Sequence, residues 1–97
     1  MSMEQVEEGR RWIEATLVEL ATGSAVKIDR VEWHRSADDV RAGTESLALE
    51  AQGQRLVERF RLADLEDIPG DSGVRNGVEG YLVTLVVRIA AAPSQQA

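Results

Sequence analysis

The clearest pattern in the chain is a pair of alternating segments between Thr44 and Leu62, which flank Gln52-Gly53. Two residues that include glycine, placed between alternating segments, are typical of a tight β-hairpin, because such turns need positive φ. The turn sets the register and places Leu49 opposite Leu56. Since side chains alternate along a strand, one face of the hairpin is predicted to be apolar and the other polar.

This register places one carboxylate on the apolar face. Glu58 falls opposite Leu47 and on the same side as Phe60. Charged groups in such surroundings cluster at functional sites. A bulge or a shifted register would instead turn Glu58 outward and Val57 inward. Both interpretations stay open, and the sequence supplies no evident nucleophile or metal ligand that would make Glu58 catalytic.

Two longer segments show helical periodicity. The first runs from about Met3 to Ala21, with Ser2 as the expected N-cap and Trp12 at the edge of the apolar stripe. The second starts after Asp71 or Ser72 and ends near Ala91. Within it, residues 81–89 are rich in β-forming residues, so a buried strand is the alternative.

The last helix also carries a face of small residues. Its members share one side of the helix: Gly73, Gly77, Gly80 and Thr84. Glycine inside a helix is unfavourable by about 1 kcal/mol relative to alanine. Two interpretations stay open, which are a glycine pair that the helix tolerates and a close helix–helix contact between subunits.

A third strand is predicted from Ala25 to Arg35, before the hairpin. Its apolar residues change phase, so either the strand has a bulge near Asp29-Arg30, which is the favoured interpretation, or both of its faces are partly covered. We expect Val31 and Trp33 to lie on the open face of the sheet. Residues 36–43 are interpreted as a loop or one helical turn capped by Ser36, and residues 63–68 as another turn.

These elements predict an α+β fold in the order α-β-β-β-α. Two helices would pack on one face of a three-stranded antiparallel sheet, which is a common solution for such elements. Residues 1–92 are expected to form a single domain, and residues 93–97 a disordered tail.

Composition and charge restrict the function. The chain of 97 residues has no cysteine, which removes disulfides and thiolate chemistry. Its net charge of −6 argues against binding nucleic acid by bulk electrostatics. The start of the chain lacks an apolar signal segment, and the apolar run 81–92 is too short to span a bilayer. A cytoplasmic protein without a membrane partner is expected.

No motif points to a particular chemistry. His34 is the single histidine and is interpreted as a surface residue, and Asp38 and Asp39 lack calcium-loop spacing and are interpreted as a solvated loop. No metal site, cofactor or enzymatic activity is expected. A small enzyme that uses Glu58 and His34 is the least favoured hypothesis, because both groups would have to reach one substrate atom.

The sequence therefore favours a protein-binding role, as a homodimer or as an adaptor. The interface is predicted on the open sheet face, with these residues at its centre and rim: Val31, Trp33, Val57, Arg59 and Arg61. The alternative is a site for an anionic ligand or single-stranded nucleic acid, formed by Arg55, Arg59 and Arg61.

Overall fold

The computed structural model describes residues 2–91, which form four helices and three strands. In chain order these are α1 (Met3–Gly23), β1 (Ile28–His34), α2 (Ala37–Ala42), β2 (Thr44–Ala51), β3 (Gln54–Arg61), α3 (Leu62–Asp67) and α4 (Ser72–Ala91). The α+β class and the antiparallel sheet are confirmed, with α2 and α3 as short additional helices. The predicted tail 93–97 lies outside the described residues.

The hairpin of β2 and β3 has the register that the sequence predicts. Leu49 pairs with Leu56, and Leu47 pairs with Glu58. The turn residues Gln52 and Gly53 both have positive φ, at 53° and 77°, as a two-residue hairpin turn requires. The sheet order is β1-β2-β3, so β1 and β3 are edge strands.

Strand β1 contains the expected bulge, and the bulge decides which way its side chains point. The register shifts between Ile28, which lies opposite Ala51, and Arg30, which lies opposite Glu50. One extra residue is accommodated there, so apolar residues three positions apart return to the same face. Val31 consequently joins Ile28 on the face that the helices cover.

Helix α4 is helical along its whole length, so the strand alternative for residues 81–89 is wrong. The Asp71 carboxylate accepts hydrogen bonds from the N–H groups of Gly73 and Val74, at 2.9 and 3.2 Å, and caps the helix. The start of α1 is capped in the same way by Ser2, whose hydroxyl accepts a bond from the N–H of Gln5.

Both long helices pack on one face of the sheet and form the core with it. The fully buried side chains come from α1, β2, α3 and α4, with the largest being Ile13, Leu17, Leu47, Leu49, Leu65, Ile68, Leu82, Leu85 and Ile89. Trp12 is half-buried at the edge of this core, as the sequence predicts.

Helix α3 is held against both long helices. A Cβ atom added at Gly9 of α1 would lie 2.1 Å from the carbonyl oxygen of Leu65, so the two backbones touch here. The N–H of Ser2 donates to Glu66 Oε2 at 2.6 Å. From α4, Arg75 Nη1 donates to the carbonyl of Ile68 at 2.7 Å, which satisfies the end of α3.

Candidate functional site

The sheet has one face covered by α1 and α4 and one open face, and the register assigns every strand residue to one of them. Val31 pairs with Leu49 and Trp33 with Leu47, so both lie on the covered face. The prediction that they lie on the open face is wrong. The extra residue at the bulge puts Val31 and Trp33 on the same face as Ile28. The structure does not bring them together with Val57.

Trp33 is part of the fold on that covered face. Its indole Nε1 donates a hydrogen bond to Glu14 Oε2 of α1 at 2.9 Å. Its ring centroid lies 5.8 Å from that of Phe60, in a tilted arrangement. A buried indole needs such a partner for its N–H. An interface role for Trp33 stays a prediction, whereas its structural role has these contacts.

The open face does collect the three arginines of β3, and each of them contacts a carboxylate of this chain. Arg55 Nη1 lies 3.3 Å from Glu50 Oε2, and Arg61 Nε lies 3.3 Å from Asp64 Oδ2. Arg59 Nε lies 3.4 Å from an Asp39 oxygen. The guanidinium groups therefore do not converge on a shared position for an anion, and the anion-binding hypothesis stays a prediction.

Asp39 is fully buried, so the interpretation of it as part of a solvated loop is wrong. Its carboxylate accepts bonds from the Ser36 N–H, at 3.0 Å, and from the hydroxyls of Thr44 and Ser46, at 2.7 and 2.8 Å. The bond from the Ser36 N–H, followed by that from Thr44, lowers the pKa of Asp39 well below its ordinary value, although burial acts against this. Asp39 thus fastens α2 onto the sheet.

Glu58 lies on the covered face, half-buried, so the outward interpretation is wrong. The Tyr81 hydroxyl of α4 donates a hydrogen bond to its Oε1. His34 lies on the opposite face of the sheet and on the other edge strand, where it pairs with Ser46. The structure therefore does not bring Glu58 and His34 together.

The outer face of α4, defined here as Gly73, Gly77, Gly80, Val83, Thr84 and Val87, points away from the core. All six residues are exposed. A Cβ atom added at Gly77 or Gly80 would have no atom within 4 Å outside the helix's own local backbone and the adjacent residues. The small-residue face predicted from the sequence is present, and packing among residues 2–91 does not require glycine at Gly77 or Gly80.

Valines extend this surface towards the end of the helix. Val83 is 41% exposed and Val87 is 55% exposed. Charged side chains on α4 number three, which are Arg75, Glu79 and Arg88. Arg75 projects on the other side of the helix, whereas Glu79 and Arg88 border the outer face, Glu79 one turn before Val83. This is the least charged exposed surface among the long helices.

A groove of about 510 Å³ runs between the edge of β3 and the first half of α4. Its lining is apolar at the bottom, with Phe60 and Val78, while Tyr81 forms one wall. Arg59 and Arg61 lie at its mouth. The Tyr81 ring packs edge-on against Phe60, with centroids 5.9 Å apart.

Within residues 2–91, no group of three or more histidine, cysteine, aspartate or glutamate side chains is placed to hold a metal ion. Across the same residues, no helix has the length and apolar character that crossing a membrane would require.

Comparison with known proteins adds no relative: no family model, no curated protein and no solved structure matches this chain.

Sequence reasoning missed three features of these surfaces. The role of Asp39 was signalled by Ser36 three residues before it, which is the spacing of a capping box. The exposed valines of α4 were not recognised, because Val83 and Val87 lie outside the regular apolar stripe that predicts the buried face of the helix. No sequence signal identified the groove, since it forms between residues far apart in the chain.

Proposed function

We propose that this protein acts by binding, and that it pairs with a second copy of itself through the outer face of α4. One observation carries the proposal: this face combines uncovered glycines with exposed valines. An apolar helix face normally turns towards a core. Helix α4 already buries one such face, and a second copy would cover the other.

The glycines support a close contact. Gly77 and Gly80 each make the helix less stable than alanine would, by about 1 kcal/mol. Within residues 2–91 they gain nothing in return, since no atom beyond the local helix lies within 4 Å of a Cβ added at either position. A glycine surface lets another backbone come near. A partner helix would therefore give these two positions a use that the monomer does not.

The residue pattern along α4 suits pairing with itself. The glycines occupy the first half of the helix, at Gly73, Gly77 and Gly80, and the exposed valines occupy the second half. A two-fold axis level with Leu82 would place Val87 of each copy over Gly77 of the other. Such an isologous contact needs one self-complementary surface. The antiparallel arrangement also sets the two helix dipoles against each other favourably.

The size of the contact indicates how strong the pairing is. A helix of 20 residues is about 30 Å long and about 10 Å wide. Two such helices bury roughly 600 Å² in total, which is below the ~1,200 Å² of stable complexes. We therefore expect a reversible dimer with a dissociation constant of roughly 10 µM to 1 mM.

The open sheet face is a weaker candidate for this pairing. Trp33, the expected centre of that interface, lies on the covered face. Val57 is exposed there, but it stands between Arg55 and Arg59, each with its own carboxylate partner. A copy of this face placed against itself would bring arginines together, which is unfavourable.

A catalytic role receives no support from the arrangement of the groups that it would use. Glu58 and His34 lie on opposite faces of the sheet. We also propose that the protein works in the cytoplasm, which fits a small domain that holds its fold without cysteine.

The test is sedimentation velocity over a concentration range of about 1 µM to about 1 mM. Three valines with nearly equal exposure offer matched variants on three surfaces. They are Val87 on α4, at 55%, Val18 on α1, at 53%, and Val57 on the sheet, at 50%. Each is replaced by lysine in a separate variant. We expect the wild type to dimerise, Val87→Lys to stay monomeric, and the other two variants to behave like the wild type.

Two results would overturn the proposal. A wild type that stays monomeric up to the highest concentration would remove self-association altogether. A dimer that Val57→Lys splits and Val87→Lys leaves intact would move the interface to the open sheet face. The circular dichroism spectrum of each variant checks that the fold is kept.

A further inference from the structure

We propose that the outer edge of β3 accepts an extended peptide segment of another protein, which adds a fourth strand to the sheet. The segment would place apolar side chains in the groove beside α4 and acidic side chains next to the arginines of β3. This inference concerns a surface that shares only Gly77 with the outer face of α4, and it does not rest on self-association. It is built from the strand edge, the groove and the charges.

The outer edge of β3 has unpaired backbone groups. Opposite residues of an antiparallel pair alternate between those that exchange hydrogen bonds and those that do not. A two-residue hairpin turn makes Ala51 and Gln54 an exchanging pair, and the bond from the Leu62 N–H to the Gly43 carbonyl, at 2.9 Å, fits the same alternation. The backbone N–H and C=O groups of Arg55, Val57 and Arg59 therefore point outward.

No backbone partner reaches this edge from elsewhere in residues 2–91. The hydrogen bonds outside helices and strands include none from Arg55, Val57 or Arg59. Helix α4 contacts the strand through the hydrogen bond from Tyr81 to Glu58, and Arg55, Val57 and Arg59 are all exposed. An exposed strand edge of this kind is a template for an added strand.

The groove supplies pockets for one set of side chains of an added strand. Alternate residues of that strand would point towards the covered side of the sheet. There they would meet Phe60, Val78 and Tyr81 at the bottom and wall of the groove. Its volume of about 510 Å³ is in the range of sites that hold small ligands or side chains. Apolar side chains fit this lining.

The charges on the other side of the strand exclude a second copy and favour an acidic partner. If two β3 strands paired edge to edge, antiparallel with Val57 on the two-fold axis, Arg55 of each copy would lie opposite Arg59 of the other, and opposed like charges are unfavourable. Acidic residues at those positions would be attracted instead. The arginines are available for this, because their side chains are 54–74% exposed even with their own carboxylate partners in place.

The local acids and the overall charge set the limits of this attraction. Glu50, Asp39 and Asp64 already neutralise the three arginines in part. The chain carries a net charge of −6, which opposes long-range attraction of an acidic segment. Backbone pairing and the groove must therefore provide the affinity, while the arginines select for acidic residues over basic ones. The segment that fits has acidic and apolar residues in alternation.

The experiment is an NMR titration of the ¹⁵N-labelled full chain with three synthetic peptides. The first alternates glutamate and valine, the second alternates lysine and valine, and the third is the first peptide with N-methyl groups on the backbone edge that would pair. We expect the glutamate peptide to shift the amide signals of residues 55–61 and 74–81. It should bind about tenfold more tightly than the lysine peptide, because three cross-strand charge pairs change sign. The N-methylated peptide should not bind.

A protein variant tests the same edge from the other side. Val57→Pro removes one outward N–H, and proline is tolerated at such edge positions because the ladder to β2 does not use that group. We expect this variant to keep its fold and lose the peptide, while Val57→Ala keeps both. The titration is repeated on Val87→Lys, so that a failure of self-association and a failure of peptide binding are told apart.

Three outcomes would overturn the inference. The absence of shifts with the glutamate peptide would remove the site. Equal binding of the N-methylated peptide would contradict strand addition. Equal binding of the glutamate and lysine peptides would contradict the role of the arginines. The peptide controls do not depend on the folding of any variant, so they decide the matter even if Val57→Pro fails to fold.

Discussion

The two long helices both contain glycine at interior positions, in opposite surroundings. Gly9 of α1 touches the backbone of α3, where an added Cβ would lie 2.1 Å from the Leu65 oxygen. Gly77 and Gly80 of α4 face open space. In the first helix the fold itself requires glycine, because no larger residue fits. In the second helix nothing within residues 2–91 requires glycine at these two positions.

This difference between the two helices indicates which surface would bind a partner. A glycine that the fold requires gives no information about binding, because a contact inside the molecule already explains it. A glycine that weakens a helix without an internal reason directs attention to contacts outside the chain. The exposed Val83 and Val87 on the same face of α4 point in the same direction.

The largest effect is expected when the required glycine is replaced. In Gly9→Ala the new Cβ would overlap the Leu65 carbonyl, so α1 and α3 must move apart. Backbone atoms cannot rotate away as a flexible side chain can. We expect the free energy of unfolding to fall by about 3 kcal/mol, as for other overpacked cores. Urea denaturation followed by circular dichroism measures this, and an unchanged midpoint would contradict the close approach.

The second-largest effect is expected at the buried carboxylate of β2. Glu45 is buried on the covered face, with its Oε1 3.3 Å from Arg10 Nε and 3.7 Å from Arg35 Nη2. Removing this carboxylate in Glu45→Ala leaves two guanidinium groups without it, although both retain some access to water. We expect a loss of about 2 kcal/mol in stability.

Glu50→Ala is the matched control for that variant. Glu50 lies on the open face of the same strand and also pairs with an arginine, Arg55, at 3.3 Å. Exposed pairs of this kind contribute little, so the expected loss is about 0.5 kcal/mol or less. Equal losses in the two variants, measured by urea denaturation, would show that burial does not distinguish the two faces.

A third effect is the dependence of stability on pH that Asp39 causes. Unlike Glu50, this carboxylate is fully buried. Its pKa is lowered in the folded state, chiefly by the hydrogen bonds from the Ser36 N–H and Thr44 hydroxyl. The resulting stability is fully present above the ordinary pKa of about 3.8 and is lost as the pH falls below it towards the lowered pKa. Asp39→Asn should therefore lose stability less steeply than the wild type between about pH 4 and about pH 2.

Urea midpoints at a series of pH values, taken for both proteins, measure this slope. Asp38→Asn is the control, since Asp38 is exposed and pairs only with Arg41 on its own helix. If the curves of Asp39→Asn and the wild type ran parallel in acid, the hydrogen bonds of this carboxylate would not be the cause of the lowered pKa.

The smallest expected effect has the opposite sign. Gly80→Ala adds a Cβ to open space and improves the helix propensity of α4. We expect the monomer to gain about 0.5–1 kcal/mol of stability, measured at low concentration so that pairing does not contribute. A loss of stability would mean that this face is covered after all, and the contrast with Gly9 would disappear.

The elements and the hairpin could be predicted because local chemistry determines them. Gln52-Gly53 selects a turn that only one register fits, and every cross-strand pair from Glu45 to Gln54 follows from it. The last helix could be recognised from its stripe despite its β-forming residues, because the stripe begins as early as Val74. The caps at Ser2 and Ser36 were visible in the same way.

The interface expected on the open sheet face was predicted less well, because the placement of Val31 and Trp33 depends on strand β1. The position of its bulge was visible, but its consequence for Val31 and Trp33 needed the pairing with β2. The bulge adds one residue between Ile28 and Val31. Apolar residues on its two sides, which are out of phase in the sequence, therefore lie on the same face. The burial of Asp39 likewise depends on α2 folding back over Thr44 and Ser46, and no local sequence pattern predicts these two contacts.

The most direct test of the central claim is the distance between the two copies of α4. The chain has no cysteine, so Ala90→Cys introduces a single site for a spin label at the border of the outer face. An antiparallel pair with its axis level with Leu82 places the two labelled backbones about 24 Å apart along the helices. Pulsed electron resonance should report a distance near this value. A distance of about 10 Å, as parallel helices would give, or no defined distance at all, would contradict the account.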